Sequence, residues 1–329
     1  MAQRTADGHH SPGLTTPEVE RATRADLPGP WKSLPMTGDV DLLARAAAHG
    51  LRLRPRTLRH NDTGLDFRVA YAQDVHGRHW VLRVPRRPDV QRALEREQTI
   101  LAFASRHLPV AVPDWNVVAP DLVAYPLLPG RPGLTLQGED VVWHLDPGSV
   151  PYAVGLGRML AALHAAPVDE AQELGIEVRS PEQVRERWAQ DIERVAAEFD
   201  VDAGLRRRLG EWLEDDALWP EETVFTHGEL YPAHVLVAED DTVTGVLDWT
   251  TARVDDPARD FMYQHAFAPP EAFAATVASY AEAGGREWAR LPERCAALMA
   301  AGPVGYGLFA LTTGREEHRA AAQAQLAGE

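Results

Sequence analysis

The chain has 329 residues, 45% of them hydrophobic, enough to bury one large core or two modest ones. Its formal charge of −16 argues against a nucleic-acid partner, whose phosphates need Lys and Arg, while remaining compatible with a cationic small molecule. A single cysteine, Cys295, excludes a disulfide framework and any CxxC metal site. With no N-terminal apolar segment and no apolar run of about eighteen residues, the expectation is a cytoplasmic protein without a membrane span.

Residues 1–35 are rich in Pro, Gly, Thr and charge without apolar period, and read as a mobile N-terminal extension. The only lysine, Lys32, lies there, so a basic group in the core must be an arginine. A helix is expected from about Asp39 to His49, with Gly50 as its stop. The period then switches towards two. Phe67, Val69 and Tyr71 alternate with polar residues, a second run covers Val81 to Pro85, and Asp74 to Gly77 marks the turn of a hairpin. A helix from about Asp89 to His107 and two extended runs, Trp115–Val118 and Leu122–Tyr125, complete a small antiparallel sheet domain, residues 36–130. Pro126, Pro129, Gly130, Pro132 and Gly133 form a linker signal, which places a hinge at 125–130 and a second, mainly helical domain at 131–329. Ser149 caps a helix through Leu156, Leu160 and Leu163. Amphipathic helices follow near Pro181–Phe199, Ala203–Leu213, Pro257–Ala268 and Pro270–Ala283. A last pair from about Arg286 is broken at Gly302–Pro303.

Between these helices, Val224 to Phe261 crowds polar groups of different chemistry between two strand-like runs. Glu229 projects from a loop before Val235–Val237, His234 ends that loop, and Asp248 follows Val243–Leu247, so a hairpin would return it beside His234. Phosphoryl transfer needs a carboxylate to orient or deprotonate the acceptor hydroxyl, metal ligands that bridge the phosphates, and a cation on the nucleotide. This stretch offers the first two, and Mg²⁺ is the metal that favours carboxylate ligands beside water and phosphate. There is no GxxxxGK(S/T) and no GxSxG, and the H-x-E of His227 and Glu229 lacks the downstream cysteines of a zinc deaminase.

The segments HGELYPAH, VTGVLDW and DDPARDF resemble the aminoglycoside phosphotransferase superfamily, with its HGD-x4-N loop and downstream (I/L)DW. Within it they are most similar to the macrolide 2′-phosphotransferases. The GLDF segment at Gly64–Phe67, WVLRVPRR at Trp80–Arg87 and YPLLPG at Tyr125–Gly130 resemble the same enzymes. The resemblance spans roughly residues 50–268. It implies a two-lobed, kinase-like α+β fold with a small antiparallel N-lobe and a larger helical C-lobe. It also implies transfer of the γ-phosphate of GTP, or ATP, to the 2′-hydroxyl of a macrolide's amino sugar, with Mg²⁺, in an antibiotic-resistance enzyme expected to be monomeric.

Carried over position by position, Glu229 is the catalytic base, supported by His227, and His234 and Asp248 are the metal ligands. Arg83 stands where kinases place their phosphate-binding lysine, with Glu97 as its ion-pair partner. Thr63 and Gly64 belong to the loop over the phosphates, while Tyr125, Pro126, Leu127 and Leu128 would present backbone groups to the purine. Phe261, Tyr263, Phe267, Met299, Tyr306 and Phe309 are the apolar residues expected to receive the macrolide. Plainer readings stand beside these: His227 as a loop organiser, Arg83 facing solvent on an edge strand, His164 as a satisfied helix histidine, Asp260 as a brace for the motif loop, and Glu211–Glu222 as a solvated acidic face. Glu229 departs from the aspartate usual in the superfamily, which leaves two alternatives: another small-molecule hydroxyl kinase, such as one for aminoglycosides, or an inactive nucleotide-binding relative.

Overall fold

The computed structural model describes residues 37–61, 67–86, 90–137 and 140–328. Its first half turns the period-two runs into a five-stranded antiparallel sheet. The strands are β1 (Arg59–Asn61), β2 (Phe67–Gln73), β3 (His79–Pro85), β4 (Val117–Ala119) and β5 (Leu122–Pro126), in the order β1-β2-β3-β5-β4. Alternation sends successive side chains to opposite faces. Trp80, Leu82, Leu122 and Ala124 pack with Leu42 and Ala46 of helix α1 (Thr37–Ala48). Val81, Val123 and Tyr125 pack on the other side with Ile100, Leu101 and Phe103 of helix α2 (Val90–His107). Arg83, two residues after Val81 and opposite Val69, therefore shares the α2 side. The turn between β2 and β3 is tied by Asp74, whose carboxylate accepts the amides of His76 and Arg78 at 2.8 and 2.9 Å while Gly77 takes a φ of +88°.

The Pro/Gly-rich connection is stitched down rather than slack. Strand β6 (Arg131–Pro132) pairs with Val235–Val237 of the helical lobe, and Gly133 N donates to Val235 O at 2.9 Å. A hairpin that the sequence reading does not expect follows at once, β7 (Leu134–Gln137) with β8 (Asp140–Trp143). Its Gly-rich punctuation is the same as a linker's, which hides it.

Helix α3 (Val150–His164) starts where expected, with Ser149 accepting Tyr152 N at 3.4 Å. Then come α4 (Val168–Glu173), α5 (Pro181–Ala196) with a Ser180–Gln183 capping box, and α6 (Ala203–Glu214) capped by Asp202. Short strands β9 (Val224–Thr226), β10 (Val235–Val237), β11 (Val243–Val246) and β12 (Arg253–Asp255) carry the motif, paired β6-β10-β11 and β9-β12. The last helices are α7 (Ala258–Phe267), α8 (Pro270–Glu282), α9 (Leu291–Ala300), α10 (Gly302–Thr313) and α11 (Glu316–Ala327). The expected terminal pair is thus three helices, because Gly314 adopts φ +63° and ends α10 before α11 begins.

One apolar cluster runs from Phe67, Ile100 and Phe103 through Phe225 and Trp249 to Leu326, so both lobes share a core. Phe103 of α2 meets Phe225 of β9 edge-on at 4.8 Å. Ala111 bonds both Thr244 O and Val246 N of β11 at 2.9 Å, which sews the α2–β4 connection to the motif hairpin. Among the described residues no single helix is long and apolar enough to cross a membrane. The bent pair α9–α10 passes by length and composition together, with a 41° bend.

Candidate active site

The loop between β9 and β10 is held from every side. Asp260, fully buried on α7, accepts His227 N at 3.0 Å on one carboxylate oxygen and Gly228 N at 2.7 Å on the other. The carbonyls are taken as well: Thr251 Oγ1 donates to His227 O at 2.8 Å and Arg259 Nη2 to Gly228 O at 3.0 Å. Gly228 has φ +84°, and a Cβ there would lie 3.0 Å from Thr251 O, so the tight path needs glycine. The His227 ring is fully buried; Nε2 donates to Leu247 O at 2.8 Å, and Nδ1 accepts Glu229 N at 3.3 Å. Burial first, then His234, push its imidazole down to about 4 against the pull of Asp260 and Leu247, so it stays neutral. His227 and Asp260 thus organise the loop that ends at Glu229.

Glu229 is half-buried at the tip. Burial raises its carboxyl above the ordinary value and Asp248 adds to this, while His234 and Arg259 oppose. Its own carbonyl closes the loop, accepting from Tyr231 N at 3.0 Å and bonding His234 Nδ1 at 2.9 Å. That bond places a hydrogen on Nδ1 and turns Nε2 towards Asp248 Oδ2, 3.6 Å away. The hairpin brings Asp248 there: Leu247 N donates to His234 O at 2.8 Å, and Asp248 then adopts a left-handed φ of +56°, rare for a residue with a side chain. Burial pushes the Asp248 carboxyl up, but His234, the Thr250 hydroxyl and Arg83 together hold it below its ordinary value.

His234 Nε2 and Asp248 Oδ2 are close enough to be two ligands of one ion. No group of three or more His, Cys, Asp or Glu among the described residues forms a metal cage. Mg²⁺ is commonly held by one or two carboxylates and completes its shell with water and substrate phosphates, so Asp248 suits it and His234 Nε2 is an unusual but feasible second ligand. The residues therefore fit the ion that the sequence implies.

Arg83 reaches towards this pair from the other lobe. It is buried, with Nη1 2.8 Å from Glu97 Oε1 of α2, and it stacks on Phe67 with its guanidinium carbon 4.0 Å from the ring centre. The solvent-facing reading of Arg83 is excluded by that burial. Such a buried pair is weak evidence for stability but fixes a guanidinium in one place. Thr63 and Gly64 lie outside the described residues. At the hinge, the Tyr125 ring is buried in the core, and Leu127 N is committed to His79 O at 2.9 Å. Backbone presentation to a ligand then falls to the carbonyls and to Leu128.

The six apolar candidates separate into three groups. Tyr263, Phe267 and Met299 cluster with Tyr231 and Leu134 beside the loop, with Tyr231 and Tyr263 ring centres 5.5 Å apart. Trp143 of the β7–β8 hairpin extends that wall, 5.8 Å from Phe267. Phe261 instead points into the core, with no exposed surface, edge-on to His164 and Tyr280. Tyr306 and Phe309 contact each other on α10, and Phe309 lies against His318 of α11. Five carboxylates of the acidic run make exposed ion pairs: Glu211 with Arg207, Asp215 with Arg290, Asp216 with Arg185, and Glu221 and Glu222 with Arg286.

A model of the phosphotransferase enzyme family matches residues 57–294. The chain belongs to the phosphotransferase enzyme family. It is similar to the solved apoenzyme of macrolide 2′-phosphotransferase MphH from Brachybacterium faecium, at 52% identity and a TM-score of 0.83, covering 87% of this chain and 97% of that one. A second solved structure, a macrolide 2′-phosphotransferase type I, is 42% identical with a TM-score of 0.84, covering 90% and 99%. The uncharacterized protein YcbJ of Bacillus subtilis is 40% identical over 284 residues, 85% of this chain and 92% of that protein. A GDP and kanamycin complex of an APH(2″) enzyme, 17% identical with a TM-score of 0.70, shares the fold alone. This phosphotransferase thus has the two-lobed kinase-like architecture and moves a phosphoryl group onto a hydroxyl acceptor.

Three residues that hold the loop, Tyr231, Thr251 and Arg259, escape the sequence reading. Tyr231 sits inside the quoted loop string and could have been flagged as an aromatic two residues from Glu229. Thr251 and Arg259 act through backbone carbonyls, which no spacing rule encodes.

Proposed function

We propose that this phosphotransferase transfers the γ-phosphate of GTP, with ATP as the weaker donor, to the 2′-hydroxyl of a macrolide's amino sugar. The observation that carries the reading is the position of Glu229. Its carbonyl bonds His234, whose ring faces Asp248, and the loop runs on from it to Tyr231, which packs with Tyr263 in the apolar cluster. The identity with macrolide 2′-phosphotransferases supports the same acceptor.

In this reading Glu229 accepts the proton of the attacking hydroxyl, and its raised carboxyl makes it a better base than an exposed one. His234 and Asp248 hold Mg²⁺, which when bound neutralises charge on the donor phosphates. Arg83, held by Glu97 and Phe67, faces the phosphates from the N-lobe. Tyr231, Tyr263, Phe267 and Met299 receive the macrolide, and Trp143 borders them. Positioning carries most of this chemistry, so the longer Glu229 works where its loop has adjusted around it. The enzyme is proposed to act as a cytoplasmic monomer.

The decisive experiment incubates the purified protein with GTP, Mg²⁺ and erythromycin and weighs the macrolide. A phosphate-sized gain supports the reading. Nucleotide binding with no gain on any macrolide or aminoglycoside points instead to an inactive binder, the outcome a misplaced Glu229 carboxylate would give.

A further inference from the structure

A buried polar chain leads away from the active site into the helical lobe. Trp288 Nε1 donates to the Tyr280 hydroxyl at 3.0 Å, that hydroxyl lies 3.1 Å from His164 Nδ1, and His164 Nε2 lies 3.3 Å from Asp260 Oδ2. Asp260 in turn holds the amides of His227 and Gly228. An indole N–H can only donate, and an ionised carboxylate can only accept. The Tyr280 hydroxyl, already accepting from Trp288, has one hydrogen to give, and it finds an acceptor only where His164 Nδ1 is bare; the roles then close with His164 carrying its hydrogen on Nε2 and Tyr280 donating to Nδ1. The helix histidine that reads as merely satisfied is the middle link of a directed chain.

We infer that Tyr280 is a positioning residue for phosphoryl transfer: its hydroxyl, steadied by Trp288, sets the His164 tautomer that braces Asp260 and the loop amides from which Glu229 hangs. The inference rests on Glu229 being the group that faces the acceptor. Packing supports it, because the ring of Tyr280 has little room to move. It is buried, edge-on to Phe261 at 5.1 Å and to His164 at 5.5 Å. Gly285 approaches so closely that a Cβ there would lie 2.4 Å from the ring, and its amide bonds Tyr280 O at 2.9 Å. A phenylalanine would fill the same volume, so what the tyrosine adds is the hydroxyl. Removing it leaves Nδ1 of His164 and Nε1 of Trp288 facing each other's former partner with nothing to bond, and a half-satisfied buried network holds its members less firmly than a complete one. The bonds to Asp260 then loosen at the catalytic loop, whereas Arg83 and Glu97, in the other lobe, are untouched.

The test uses the full chain labelled with ¹⁵N at histidine, with the His164 signals identified by their loss in His164→Gln. Wild type is expected to show the Nε2–H tautomer, and Tyr280→Phe a shift of those signals towards a mixture. With GTP, Mg²⁺ and erythromycin, Tyr280→Phe is expected to lower kcat by about tenfold, the scale of a small misplacement at the reacting centre, with KM for GTP within about twofold. Gly285→Ala keeps the hydroxyl but pushes the ring aside, and should give the same split. Trp288→Phe removes only the outer donor and should give a weaker form of it. These two carry the test if Tyr280→Phe does not fold. An Nδ1–H tautomer in wild type, or unchanged kcat and unchanged His164 signals in the variants, overturns the inference. Absence of phosphoryl transfer in wild type would count against the role of Glu229 instead, and the imidazole signals then decide the relay alone.

Discussion

Glu229 is where this phosphotransferase departs from its superfamily, and its side chain sets two expectations. Glu229→Gln should abolish turnover while nucleotide binding, measured by calorimetry, persists; retained turnover removes Glu229 from the role of base. Glu229→Asp restores the usual residue but withdraws the carboxylate by about one C–C bond in a loop shaped for glutamate. A loss of roughly 10- to 100-fold in kcat is expected, as for other small misplacements. His227 carries a prediction about stability. In the folded chain its imidazole titrates at about 4, whereas an unfolded one takes its proton near 6.5. Between those values the unfolded state binds more protons, so stability falls as the pH is lowered from about 6.5 to about 4, by up to roughly 3 kcal/mol. Asp256, raised by burial against the pull of Arg294, acts in the opposite direction. The comparison is therefore between wild type and His227→Asn, in urea titrations across that window: the variant should lose the acid-dependent part. Equal pH slopes would refute the burial argument.

At the scale of elements, much was legible and the omissions have causes. The β2–β3 hairpin, α2 and the cap at Ser149 follow from local rules, because each depends on neighbours within a few residues. The β7–β8 hairpin and the break before α11 do not, since glycines that close a turn and glycines that loosen a linker look alike in one dimension. Helix pairing is also hidden. Gly157 of α3 sits against α8, where a Cβ would lie 2.3 Å from Thr276 O and 2.9 Å from Tyr280 N. Gly157→Ala gains up to about 1 kcal/mol of helix propensity. Overpacking against backbone, which cannot rotate away, costs about 1–3 kcal/mol. The steric effect is expected to win, with a lower Tm in thermal unfolding; a raised Tm would mean that α3 and α8 separate freely.

Taken whole, the molecule places Arg83 on one lobe and the proposed metal ligands, His234 and Asp248, on the other, with one core shared between them. Nucleotide with Mg²⁺ should therefore stabilise the chain against heat, by about 2.7 kcal/mol at a hundredfold excess over Kd. In Asp248→Asn the Mg²⁺-dependent part of that shift should vanish while any metal-independent part remains. An unchanged Mg²⁺ response in thermal unfolding would remove Asp248 from the ion. The sequence by itself determined the period of β2 and β3, the loop string from His227 to His234 and the residue types available for chemistry. A chain whose only lysine is Lys32 leaves arginine as the basic residue for its core. Those are properties of local pattern and composition. Only the tertiary structure decided which aromatics face the active site, turning Tyr263 towards it and Phe261, two residues earlier, into the core. Only it joined His164 to Asp260 and to Tyr280, 96 and 116 residues away. A side chain's direction on a helix, and its partner across a hundred residues, are set by how whole elements pack.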